Sequence, residues 1–130
     1  MRILHTSDLH MQVGERKHIE ALNAILDIAK KNKVDVLTIG GDIFNSPSDA
    51  DALRGDLRDI FRDNPFRVIA IPGNHDGNIF SKGFDFGFEI VTDSHWKEIV
   101  VDDATIVAVP YTDIPTKEIL LLRGCQNYWT

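Results

Sequence analysis

Three short apolar runs, each breaking off at a cluster of Asp, His, Asn and Gly, constrain the fold of this chain more than any other feature. Ile3-Leu4-His5-Thr6 leads into Asp8-Leu9-His10, Val34 to Ile39 into Gly40-Gly41-Asp42, and Arg67 to Ile71 into Gly73-Asn74-His75-Asp76. Asp42 follows Asp8 by 34 residues and Asn74 follows Asp42 by 32, each about one strand-helix-strand unit. Parallel strands joined by such crossovers point their carboxyl ends the same way, and open α/β sheets bind ligands at that edge. The spacing therefore predicts that the three clusters meet in space.

Periodicity fills in the elements between them. A strand is expected at about residues 2 to 7 and a helix from Glu15 to Asn32, with Ile19, Leu22, Leu26 and Ala29 on one face and Lys17, Glu20, Asn23 and Lys30 on others. The run Val34 to Ile39 is apolar or β-branched at nearly every position, the pattern of a central strand buried on both faces. Ser46-Pro47-Ser48-Asp49 reads as a helix start, with Ser as N-cap, Pro in the first turn and an acid three residues on. That helix continues to Arg62 through Leu53, Leu57, Ile60 and Phe61. Gly55 inside it either weakens it or meets a close neighbour. Strand three is Arg67 to Ile71. Phe80, Phe84, Phe86 and Phe88 follow among glycines and are expected to pack against the sheet or a dimer partner, with base stacking the alternative. Strands at Lys97 to Val101 and Thr105 to Tyr111, linked by Asp102-Asp103-Ala104, suggest an antiparallel hairpin.

Composition sets the class. A chain of 130 residues, 43% apolar and 26% charged, is one domain of a globular protein. It has no run of about 18 apolar residues to span a membrane. The chain opens directly into its first strand, without the apolar stretch of a signal peptide, so a cytoplasmic location is expected. Cys125 is a lone thiol, expected to be packed rather than nucleophilic. The net charge of −6 leaves no overall basic footprint for a nucleic acid; carboxylates gathered at a metal site account for part of it, and divalent ions would reverse the local sign. His5 is expected as a packed or hydrogen-bonded core residue and His18 as a helix-surface one.

The residue types at the three clusters suit a dinuclear metal site that cleaves phosphoesters. Such a site needs hard oxygen and imidazole donors and one carboxylate that bridges two ions about 3.5 to 4 Å apart. Asp42 is the candidate bridge. Asp8 and His10, two apart on one loop, suit one ion, and Asn74 offers a neutral amide oxygen to the other. His75 is left for proton transfer or for stabilising charge on the phosphorane, and Asp76 for fixing its tautomer. Taken singly, each cluster also reads as an ordinary loop: a solvated Asp-x-His, a glycine turn, an Asx-capped turn. The order and spacing of all three together favour the metal site.

These segments carry a family resemblance. Met1 to His10, Gly41-Asp42-Ile43-Phe44-Asn45 and Gly73-Asn74-His75-Asp76 are similar to the first three motifs of the calcineurin-like metallophosphoesterases. The opening segment and Gly-Asp-Ile-Phe-Asn-Ser most resemble the nuclease subunit of the Mre11/SbcD type. The resemblance implies a four-layer α/β/β/α fold, two packed sheets flanked by helices, with two Mn²⁺ ions at the strand ends. It also implies exonuclease and endonuclease action on DNA in double-strand break repair, a homodimer, and a Rad50/SbcC-type ATPase as partner. Carried over by position, Asp8 and His10 hold the first ion, Asp42 bridges, Asn74 holds the second and His75 assists at the phosphate.

The sequence also departs from that pattern. The family's later histidines, including a Gly-His-x-His motif, have no counterpart after Asp76; His95 lacks their surroundings, and Asn45 stands where several archaeal-type members carry a histidine. The apolar run Ile119 to Leu122 near the end suggests that the chain stops inside a domain. Weak Mn²⁺ binding is therefore expected. Two further readings stay open: a calcineurin-like phosphodiesterase acting on small phosphodiesters or nucleotides, and a short non-catalytic binding or scaffold module that keeps a partial site.

Overall fold

A computed structural model describes residues 1–76, 79–80, 83–92 and 96–111. Within them the order is β1 (Ile3–Thr6), α1 (Arg16–Lys31), β2 (Val36–Ile39), α2 (Pro47–Phe61), β3 (Arg67–Ala70), β4 (Glu89–Ile90), β5 (Lys97–Val101) and β6 (Ala104–Ala108). The first four strands form a parallel sheet in the order β1-β2-β3-β4, and β5 and β6 pair as a separate antiparallel ribbon. Because the strand order marches one way across the sheet, right-handed crossovers place α1 and α2 on the same face.

The alternation of side chains along the strands divides the interior in two. Leu37, Ile39, Val68 and Ala70 face the helices and pack with Leu22 and Leu26 of α1 and Leu53, Leu57 and Phe61 of α2. Val36 and Ile69 point the other way, onto Ile99, Val101 and Ala108 of the ribbon. Strand β2 is covered on both faces, as its unbroken apolar run predicts. The architecture is thus α/β: helices, a parallel sheet, then a second sheet.

Ser46 caps α2 as expected, its hydroxyl accepting the N–H of Asp49 at 3.2 Å with Pro47 in the first turn. Gly55 has open space around it, so no close neighbour explains it. The Asp102–Asp103 turn closes the hairpin, with Asp102 at φ 53°. Strand β4, only two residues long, was not expected.

Two histidines depart from their expected settings. His5 does hydrogen-bond, Nδ1 to Thr38 Oγ1 at 2.8 Å, but it stands exposed on the ribbon-side face. His18 is not a simple surface residue: half-buried, its Nδ1 accepts the N–H of Gln12 at 3.1 Å. Phe80 and Phe86 are buried, Phe88 is half-buried against Phe61, and Phe84 lies in the open beneath the Arg54 guanidinium, 4.1 Å from the ring centre. His95, Cys125 and Ile119 to Leu122 lie outside the described residues.

Candidate metal centre

The carboxyl ends of β1, β2 and β3 are adjacent, and the segments that leave them run side by side. The N–H groups of Asp8, His10 and Met11 donate to the carbonyls of Gly41, Asp42 and Ile43 at 3.0, 3.0 and 2.8 Å, and Asn45 N–H returns to Met11 at 3.0 Å. This continues the β1–β2 ladder past the strands, but with a different backbone. Asp8, His10 and Asp42 sit at φ 56°, 45° and 51°, the left-handed region that side chains other than Gly rarely adopt. Each such residue costs of order 1–3 kcal/mol unless its surroundings enforce it, and such strain gathers at functional sites. Here the surroundings do enforce it, through the backbone bonds just named.

The result is a cluster. One ligand atom each from Asp8, His10 and Asp42 lies within 4.8 Å of the others. His10 Nε2 is 3.8 Å from Asp8 Oδ1, and the Ser7 hydroxyl fixes the other Asp8 oxygen at 2.6 Å. Two carboxylates and an imidazole are the donor set of a divalent ion that takes oxygen and nitrogen ligands, so the residues fit the metal that the spacing anticipates.

The third segment arrives by close backbone approach. A Cβ on Gly73 would meet the Asp42 carboxylate and lie 2.5 Å from its amide nitrogen, and one on Gly41, itself at φ 100°, would lie 2.8 Å from Gly73 Cα. Only glycine fits at both places. The contact lets Asp42 Oδ1 accept the backbone N–H of His75 at 3.0 Å. The His75 ring stands edge-on to His10, centroids 5.8 Å apart. Asn74 occupies the exposed turn between Gly73 and His75.

Asp76 does something else than orient the His75 ring. It is 1% exposed, and its Oδ1 accepts the N–H groups of Ile43 and Phe44 at 3.0 and 3.4 Å while Oδ2 accepts that of Gly73 at 2.7 Å. Among the described residues no hydrogen bond joins it to the imidazole, because both oxygens are turned inward. It braces the loop after β2 against the loop after β3.

Comparison with known proteins identifies the family. The family model described as calcineurin-like phosphoesterase matches residues 1–126. The SbcD component of the nuclease SbcCD of Escherichia coli K12 is 32% identical over 85 residues, 58% of this chain and 21% of that protein. The double-strand break repair protein mre-11 of Caenorhabditis elegans is 41% identical over 56 residues, 37% of this chain and 8% of that one. The chain thus spans about a fifth or less of the length of these relatives. A solved protein of unknown function from Aquifex aeolicus superposes over 95% of this chain and 74% of its own, with TM-score 0.50 and 20% identity, a likeness of fold alone. With its strand-end ligand cluster and a family match along nearly its whole length, the chain belongs to the calcineurin-like phosphoesterases.

Proposed function

We propose that this chain carries the first metal-ligand motifs of a DNA nuclease of the Mre11/SbcD type, an enzyme that hydrolyses phosphodiesters with two Mn²⁺ ions and works with a Rad50/SbcC-type ATPase. The observation that carries the reading is the convergence of Asp8, His10 and Asp42 within 4.8 Å, with the His75 ring beside them. The nuclease assignment draws its support from the two named relatives.

When bound, the ions supply Lewis acidity toward a phosphoryl oxygen and make water a nucleophile near neutral pH. The chain's own residues do the rest. Asp8 and His10 present an oxygen and a ring nitrogen from one strained loop. Asp42, whose Oδ1 already takes the His75 N–H, has lone pairs to spare and would be the ligand shared by the two ions. Asn74 adds its amide oxygen from the third loop. His75 hydrogen-bonds the phosphoryl oxygen on which charge grows, the step at which a fixed donor contributes most. Asp76 keeps two of the three loops in register.

The reading is tested by calorimetric titration of Mn²⁺ into the chain and into Asp42→Ala, with cleavage of duplex and single-stranded DNA and of bis-p-nitrophenyl phosphate on the same samples. Weak but Asp42-dependent binding with DNA cutting supports it. Hydrolysis of the small diester with DNA left intact overturns the nuclease assignment, and binding indifferent to Asp42 overturns the site.

A further inference from the structure

Among the described residues two polar side chains are buried, Asp76 and Asp49, at 1% and 8% exposure. Asp76 braces the ligand loops from within. Asp49 belongs to a different element, the first turn of α2, where an acid is ordinarily half of a capping box that bonds back to the N-cap N–H. It does not do that here. Its Oδ2 accepts the Ser46 hydroxyl at 2.5 Å, and its Oδ1 crosses to the N–H of Val13, 2.8 Å away and 36 residues earlier in the chain.

Val13 closes the segment that presents Asp8 and His10. Its own side chain is 58% exposed, so packing does not hold it in place. Next to it, the N–H of Gln12 is taken by His18 of α1. The loop is thus pinned at its far end by one side chain from each helix, while its near end holds two residues in the left-handed region. The Ser46 hydroxyl and the Val13 N–H hold the Asp49 carboxyl below the usual carboxylate range, which keeps it an acceptor throughout the neutral region.

We propose that Asp49 is a positioning residue of the metal centre: by accepting the Val13 N–H it fixes the 8–13 loop in the strained conformation that presents Asp8 and His10. For its consequence on metal binding this rests on the metal-site reading above; for the loop itself it does not.

Three variants separate this role from helix capping. Ser46→Ala removes the cap and leaves Asp49 on Val13. Asp49→Ala removes the Val13 bond and the carboxylate's bond to the Ser46 hydroxyl, while that hydroxyl still caps the helix by accepting the residue 49 N–H. Asp49→Asn keeps an acceptor for Val13 and an amide for Ser46. Measured by Mn²⁺ titration, Asp49→Ala is expected to weaken binding about 10-fold or more, the usual effect of losing a group that orients ligands. Ser46→Ala should stay within about two-fold and Asp49→Asn should recover the wild-type value. Amide hydrogen exchange on the metal-free chain gives the second readout: Asp49→Ala should speed exchange at Val13, Met11 and His10, and Ser46→Ala should not. Equal weakening in Asp49→Ala and Ser46→Ala overturns the proposal, since it reduces Asp49 to a helix cap. So does unchanged protection of His10 and Met11 in Asp49→Ala. If the wild-type chain binds no Mn²⁺, the metal-site reading fails by itself, and the exchange comparison still decides whether Asp49 holds the loop.

Discussion

At the scale of single residues, the candidate donors could be picked from the sequence and their conformation could not. Asp8, His10 and Asp42 could be chosen because a divalent ion needs those donors; that all three hold positive φ could not, because the parallel hydrogen bonds between their two loops impose it. The same holds for Asp76, whose type suggested a partner for His75 and whose burial makes it a receptor for three backbone N–H groups. Removing it would leave those donors buried without partners, each costing about 1–3 kcal/mol. Asp76→Ala is therefore expected to lose at least about 3 kcal/mol in urea unfolding, whereas His75→Ala, on an exposed ring, should unfold like the wild type. Equal stabilities would show that water satisfies the brace. A milder effect belongs to Arg67 and Glu89, joined by two bonds of 2.9 and 2.8 Å at the opposite end of β3. The Arg67 guanidinium holds Glu89 below the usual carboxylate range. A depressed acid contributes stability above its unfolded pKa and loses it as pH falls through the folded one. Both side chains are partly exposed, so the contribution is at most about 1 kcal/mol. The stability gap between wild type and Arg67→Ala should be present near neutrality and vanish by about pH 2; a gap that persists there would mean that the guanidinium stem, not the charge, is what matters.

At the scale of elements, the long periodic segments lie where the hydrophobic pattern puts them, with ends moved by a residue or two: α1 at Arg16–Lys31, α2 at Pro47–Phe61 and β2 at Val36–Ile39. Strand β4 escaped because two residues carry no periodicity; Glu89 and Ile90 are strand only through pairing with Ile69 and Ala70. Glycine shows the same limit. The sequence places Gly55 in mid-helix and Gly73 at a strand end but does not show their neighbours: one faces open space and the other abuts Asp42. Gly55→Ala should raise stability by about 0.4–1 kcal/mol, since alanine restricts the unfolded chain and fits the helix. Gly73→Ala should destabilise the fold and weaken Mn²⁺ binding together, because the loop after β3 must back away from the Asp42 carboxylate. Thermal unfolding and calorimetry on the pair check this, and a Gly73→Ala protein with unchanged metal affinity would show that the close approach is dispensable.

At the scale of the whole molecule, the proposed nuclease role has to be squared with the charge of the chain. Twenty Asp and Glu stand against 14 Lys and Arg, giving a net charge of −6, and a polyanion approaching such a body meets repulsion. Helix α2 does carry Arg54 and Arg58, one turn apart, with Arg62 at its C-cap, and Arg54 covers the exposed Phe84 ring. That stripe is diluted, though: Arg62 is paired with Asp59, and Arg67 nearby is paired with Glu89. The groove of about 690 Å³ that Arg58, Arg62 and Arg67 help to line also holds Asp59, Asp85 and Glu89, so its charges cancel. The strand-end cluster is the place where the sign can change, since divalent ions there would turn a carboxylate-rich edge into an attractor for phosphate. DNA binding by this chain should therefore depend on the metal, not on its basic residues. In fluorescence anisotropy at low salt, a labelled oligonucleotide should show no binding in EDTA and measurable binding once Mn²⁺ is added. The Mn²⁺-supported affinity should fall only shallowly with salt, because few Lys or Arg displace counterions. Asp42→Ala should abolish the gain and Arg58→Ala should leave it intact. Tight binding in EDTA with a steep salt dependence would reverse the assignment, placing the nucleic-acid contact on the α2 arginines and leaving the metal edge to chemistry alone.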